Sequence, residues 1–233
     1  MRAYLKKGLS NIVGSLSHKY WLEDTINNFI CKPKEFYKPS GFYASSAGAC
    51  PRLIQLKRSG ISLPQPDGNG QRIFDNGNDV HLRYGRYLKG SGCLIADEAK
   101  FTINFDGFDV VGRADFILNS PTNEQIVAEL KSINSRRFKE LIDSGKPKIE
   151  NFLQLNICLK GLNINTGLVM YECKDNQQVK FFPVFFDQAK YDETIDVFKM
   201  IHEYEKKEQL VPKPDKCPDP RYCPAAQTIC KEG

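Results

Sequence analysis

An Asp106-Gly107 pair separates two alternating runs, LIADEAKFTINF at 94–105 and FDVVGRADFIL at 108–118. Asp-Gly supplies the positive φ that a tight hairpin turn requires, and period-two alternation marks half-buried strands. A polar loop at 119–124 leads into QIVAELKSI at 125–133, so the centre of the chain is predicted to be three consecutive antiparallel strands. Around that centre the pattern turns helical. A Ser45-Ser46 pair precedes a short helix ending at Gly60, and 71–88 forms a helix with Phe74, His81 and Leu88 at seven-residue spacing. A further helix spans 135–144, and Pro147 is expected to open another that Gly161 stops. Strands at 168–172 and 179–186 and a helix capped by Asp187, running to about 209, complete the order. The remainder, VPKPDKCPDPRYCPAAQTICKEG, is too short and too rich in proline to fold by apolar burial, so something else must fix it.

At 233 residues the chain suits a single domain with a sizeable core. No run of eighteen apolar residues exists, so no membrane span is expected. A net charge of +5 permits a nucleic-acid partner without establishing one. The N-terminal MRAYLKKGLSNIVGSLSHKYW lacks a signal-peptide apolar core and an A-x-A site, which favours a basic amphipathic helix and a reducing, cytoplasmic setting. The eight cysteines are then metal ligands or core residues rather than disulfides.

GRADFIL carries Asp115, and VAELKS carries Glu129 and Lys131. Strand residues two apart share a face, so Glu129 and Lys131 project together. Asp115 and Glu129 are symmetric about Thr122, and regular register would place them opposite, Cβ atoms roughly 5 Å apart. Two carboxylates at that distance repel unless a cation lies between them, and hard ions such as Mg²⁺ or Mn²⁺ take such ligands. Lys131 would supply positive charge to a phosphate or an attacking water. His81 could add a nitrogen ligand, and Gln154 shares a helix face with Glu150 and Cys158. The chemistry that fits is phosphodiester hydrolysis; the plainer alternative is an ion triad on a solvated sheet face. The sequence holds no Gly-x-x-x-x-Gly-Lys loop and no G-x-S-x-G elbow, which leaves ATPase and α/β-hydrolase chemistry without support.

Cys217, Cys223 and Cys230 follow C-x5-C-x6-C, and Cys50 in GACPR is the best fourth ligand. The wide spacing fits an iron–sulfur cluster somewhat better than Zn²⁺. Four unconnected thiols are the alternative. Cys31, Cys93, Cys158 and Cys173 stand in apolar or strand contexts.

In order, His81, Asp115, Glu129 with Lys131, and Gln154 resemble the RecB-like PD-(D/E)xK nucleases. One upstream and three C-terminal cysteines resemble the iron–sulfur subset, which includes CRISPR-associated spacer-acquisition exonucleases, the AddB nuclease domain and viral relatives. The resemblance implies an α/β (α+β mixed) fold: a central mixed β-sheet flanked by helices, with a restriction-endonuclease-like core. It implies a single nuclease domain over 1–233, with a catalytic core at 71–186 and a cluster region formed by 45–60 and 211–233. It further implies a Mg²⁺- or Mn²⁺-dependent DNA exonuclease, 5′→3′ on single-stranded ends. His81, Asp115, Glu129 and the Leu130 carbonyl would be metal ligands, Lys131 the catalytic lysine, and Gln154 an orienting residue. Cys50, Cys217, Cys223 and Cys230 would bind a [4Fe–4S] cluster that pins the tail. The family's glutamine is often followed four residues later by tyrosine, where this chain has Cys158. Lys213, Lys216, Arg221, Arg136 and Arg137 could follow a phosphate backbone, and Tyr84 or Tyr222 could stack on bases. Two other functions stay open: a non-catalytic iron–sulfur or zinc DNA-binding or assembly subunit, and a nuclease active only in a larger complex. Any helicase, recombination or spacer-acquisition partner would be separate, and an oligomer is compatible with the sequence.

Overall fold

The computed structural model describes residues 21–31, 39–61, 63–215, 223–226 and 229–230. Contacts divide the chain into two compact units, one from 1–35 with 64–75 and one from 36–63 with 76–233. Residues 71–75 of the expected catalytic core therefore fall in the first unit. That unit contains α1 (Trp21–Ile30) and the first turns of α3 (Gly68–Gly90). Arg72 donates to Asn27 Oδ1 at 2.7 Å within it.

The second unit carries a six-stranded mixed sheet. Its strands are β1 (Phe42–Tyr43), β2 (Leu94–Phe105), β3 (Phe108–Asn119), β4 (Gln125–Ile133), β5 (Thr166–Cys173) and β6 (Val179–Phe185). The order is β1-β3-β4-β5-β6, with β2 also on β3. The β2–β3 and β3–β4 pairs are antiparallel as the turn signals predict, β4–β5 is parallel, and β6 returns antiparallel. The flanking helices are α2 (Pro51–Arg58), α4 (Ser135–Ser144), α5 (Ile149–Leu162) and α6 (Gln188–Lys206).

Alternation along β4 sorts the core into two layers. Ala128 and Leu130 pack with Val80 of α3, Phe116 and Met170. Val127 joins Leu155, Ile157 and Leu159 of α5 and Phe198 of α6. Five consecutive residues of α5, from Leu155 to Leu159, are buried. A helix buried on every side leaves its polar groups needing partners. Asn156 finds them on the backbone of Asp187, donating to its carbonyl at 2.8 Å and accepting from its N–H at 2.9 Å. Asp187 in turn caps α6, its carboxylate accepting from Lys190 N–H.

The ends of α5 differ from the expected Pro-in, Gly-out pattern. Lys148 is the N-cap, so Pro147 stands one residue before it. At the other end the helix passes through Gly161 and stops at Asn163, whose φ of 55° is left-handed. Gly161 serves packing instead: a Cβ there would lie 2.1 Å from the Phe101 ring. Gly112, on β3, meets the same ring at 2.2 Å. Alanine favours a helix interior by up to about 1 kcal/mol over glycine, but overpacking a core typically costs about 1–3 kcal/mol. Gly161→Ala is thus expected to destabilise the protein despite its better helix propensity. An unchanged or raised denaturation midpoint would refute this account of the glycine.

Candidate active site

The β3–β4 ladder runs from Asn119 opposite Gln125 to Phe116 opposite Ala128. Asp115 and Glu129 follow at the next step, in the register that symmetry about Thr122 predicts. There a side chain replaces the ladder: Leu130 N–H donates to Asp115 Oδ2 at 2.8 Å. The other oxygen, Oδ1, lies 3.4 Å from Nδ1 of His81 on α3. From the same face of β4 as Glu129, Lys131 donates to Glu129 Oε1 at 2.5 Å. Gln154 on α5 donates to the same oxygen at 2.6 Å. The structure thus gathers His81, Asp115, Glu129, Leu130, Lys131 and Gln154 from four elements.

The electrostatics of this cluster are those of charge held out of water. Glu129 is only 1% exposed, and its Oε2 is buried with no hydrogen-bond partner. Burial, then the neighbouring Asp115 charge, pushes the Glu129 carboxyl up to about 7, against the pull of Lys131. Burial raises Asp115 to about 6, opposed by the Leu130 N–H and by Lys131. For Lys131 burial acts downward, yet the Glu129 and Asp115 carboxylates outweigh it and hold the ammonium above the ordinary lysine range. His81 is lowered by burial and then by Lys131, which favours a neutral imidazole. Its approach to Asp115 is then a polar contact rather than an ion pair. Cys158, one turn beyond Gln154, keeps its proton because burial and then the two carboxylates disfavour a thiolate.

Among the described residues, no three His, Cys, Asp or Glu side chains stand close enough together to hold a metal ion. Lys131 and Gln154 both take Glu129 Oε1 instead. The chemistry of the group nonetheless fits a hard divalent ion: two carboxylates, one with an orphaned buried oxygen, beside a neutral imidazole.

Asp115 and His81 open onto a cleft of about 550 Å³ that also includes Arg86, Lys89, Glu98 and Arg113. The motif names none of these four, but part of the signal is in the sequence. The two-residue turn fixes the hairpin register, in which Asp97 faces Phe116 and Ala99 faces Ala114. Glu98 therefore lies across from Asp115, with a left-handed φ of 50°. Its carboxylate pairs with Arg113 at 3.0 Å. Among the described residues Arg86 and Lys89 form no ion pair with a carboxylate.

The cations expected to follow a phosphate backbone are placed otherwise. Arg136, Arg137 and Lys213 do not line this cleft, and Lys216, Arg221 and Tyr222 lie outside the described residues. Tyr84 packs against the smaller core layer, and burial together with a hydrogen bond to Glu172 pushes its phenol up to about 12.

Cys50, Cys223 and Cys230 line one cavity of about 170 Å³ with Leu53, Pro214 and Ala225. All three are free thiols; Cys217 lies outside the described residues. Thiols in a largely apolar cavity suit a soft-ligand centre in kind. Of the remaining cysteines, Cys158 and Cys173 are buried, whereas Cys31 is exposed. Among the described residues no helix is long and apolar enough to cross a membrane.

No protein-family profile matches the chain, and no curated protein does. Among solved structures the chain is similar to SSO0001, with a TM-score of 0.54 and 20% identity, covering 90% of this chain and 94% of that one. It is also similar to LHK-Exo in complex with dAMP, at TM-score 0.53 and 17% identity, covering 72% and 93%. An alkaline exonuclease (LHK-Exo) from Laribacter hongkongensis aligns at TM-score 0.51 and 14% identity, covering 73% and 94%. At these identities the likeness is one of fold: a central mixed sheet flanked by helices.

Proposed function

We propose that this chain is a metal-dependent DNA exonuclease that hydrolyses phosphodiester bonds, working 5′→3′ on single-stranded ends. The observation that carries this reading is the buried Glu129 carboxylate, half of it unpartnered, placed beside Asp115 and Lys131. Lys131 and Gln154 satisfy only one of its oxygens, and a buried carboxylate oxygen left without a partner is costly, so its retention fits a cation that the second oxygen is built to meet. The likeness in fold to LHK-Exo, an alkaline exonuclease that binds dAMP in one structure, supports the same reading.

Asp115, Glu129, His81 and the Leu130 carbonyl would hold Mg²⁺ or Mn²⁺. Such an ion supplies polarisation of the phosphate and a water of lowered pKa. The protein's own contribution is positional. Gln154 fixes the Glu129 carboxylate from α5 and the Leu130 N–H fixes Asp115, while the Lys131 ammonium brings positive charge to the phosphate or the attacking water. Cys50, Cys217, Cys223 and Cys230 would bind a [4Fe–4S] cluster, with Zn²⁺ as the alternative, in a structural role. Iron, sulfide and zinc content after purification without oxygen decides between them. Unwinding, where needed, would come from a helicase partner.

Arg86 and Lys89 are the cleft cations best placed to meet a phosphate backbone, since neither is matched by a carboxylate among the described residues. Removing both is expected to weaken single-stranded DNA binding and to lower the slope of log affinity against log salt by about 0.7 per residue. An unchanged slope would exclude them from the backbone contact.

The deciding experiment uses 5′- and 3′-labelled single- and double-stranded DNA with Mg²⁺, Mn²⁺ or chelator. Metal-dependent release of 5′-terminal label from single strands is expected first. Tight binding with no cleavage by cluster-loaded protein would replace this reading with a DNA-binding or assembly subunit.

A further inference from the structure

The proline-rich segment after α6 was expected to need a metal group to hold it. At the start of that segment the structure shows an attachment made by side chains of α2. Gln55 on α2 is 4% exposed, and both ends of its amide are used by the chain more than 150 residues away. Its Nε2 donates to the Gln209 carbonyl at 2.7 Å, and its Oε1 accepts from Val211 N–H at 2.7 Å. Arg52, one turn earlier, donates to the Val211 carbonyl at 3.3 Å. Arg58, one turn later, grips Glu205 with two bonds of 2.9 and 3.2 Å. Val211 itself is 4% exposed and joins the main core. A buried amide that satisfies a backbone donor and a backbone acceptor acts like a rung of a sheet, and breaking it leaves polar groups buried without partners.

We infer that this Gln55-centred clamp, not a metal group, docks residues 209–211 on α2, so that the Lys213–Pro214 wall of the cavity lined by Cys50, Cys223 and Cys230 is set before the cavity is loaded. The geometry supports that order. Cys50 is the N-cap of the helix that carries Gln55, and Lys213 and Pro214, just past the clamp, line the thiol cavity. Gln55 is then a positioning residue for the cysteine site. The inference rests on the proposed cluster only for what fills the cavity.

The test is hydrogen exchange at the Val211 amide in full-length protein, measured as isolated, after removal of iron and zinc by chelation, and in Cys50→Ser and Gln55→Leu. Protection at Val211 is expected to persist in chelated protein and in Cys50→Ser. In Gln55→Leu it should fall by about tenfold or more, as two hydrogen bonds of ordinary strength imply, and metal content should fall with it. Collapse of Val211 protection on chelation or in Cys50→Ser would overturn the inference. Those two arms decide it even where Gln55→Leu fails to fold. A preparation that never binds iron or zinc yet keeps Val211 protected would sink the cluster and sustain the clamp.

Discussion

Lys131→Ala is expected to lower DNA cleavage by about 10²–10³-fold under single-turnover conditions, with the protein still folded. The ammonium sits 2.5 Å from Glu129 Oε1 and is held in its charged form by two carboxylates. Removing a preorganised charge aimed at a reacting phosphate costs rate on that scale, because water cannot replace it in a partly buried site. Folding should survive, since the Lys131 side chain is 29% exposed and Gln154 still donates to Glu129. The measurement is the rate of label release at saturating protein, alongside a melting curve. Equal rates for wild type and Lys131→Ala, in protein of equal melting temperature, would remove Lys131 from catalysis.

The second large effect is on stability and links pH to the metal. In metal-free protein both carboxyls keep their protons to higher pH than in an unfolded chain, Asp115 to about 6 and Glu129 to about 7. The folded state therefore binds more protons than the unfolded one between roughly pH 4 and 7, and that part of the stability falls as pH rises through the window. A divalent ion held by these carboxylates, as proposed, would compete with those protons for the same oxygens. Mn²⁺ at about 100 times its dissociation constant should add about 2.7 kcal/mol, roughly 5–10 °C in melting temperature for a chain of this size. That gain should appear above about pH 7 and largely vanish near pH 5. Glu129→Gln should abolish the Mn²⁺ response and flatten the pH dependence of the metal-free protein. A Mn²⁺ shift of the same size in Glu129→Gln would show that the ion binds elsewhere.

What could be read without coordinates is local in sequence. The Asp106-Gly107 turn and the 119–124 loop are short, and each fixes the register of the strands it joins through backbone geometry alone. That places Asp115 beside Glu129, and two-residue periodicity places Lys131 with them, which is why the charged centre was legible. Helix ends were less so. Gly161 looks like a stop signal, but its value lies in the room it leaves for Phe101, sixty residues earlier in the chain. Asn163 ends the helix through a left-handed backbone that a polar side chain tolerates.

The tertiary structure alone decided the rest, because those contacts depend on how elements pack rather than on any local rule. His81 reaches Asp115 only because α3 lies against β3 and β4 through Val80, Phe116 and Leu130. Gln154 reaches Glu129 because α5 is buried in the other layer. Arg86 and Lys89 became the cleft cations through the facing of one helix, not through their charge, which other residues share. The clamp at Gln55 joins residues that no turn or period relates. The sequence by itself determined the strands, their register and the carboxylate pair, since hydrogen-bonded ladders propagate from turns. The packing of helices determined which side chains complete the site, since burial selects partners by shape and satisfied polar groups across the whole fold.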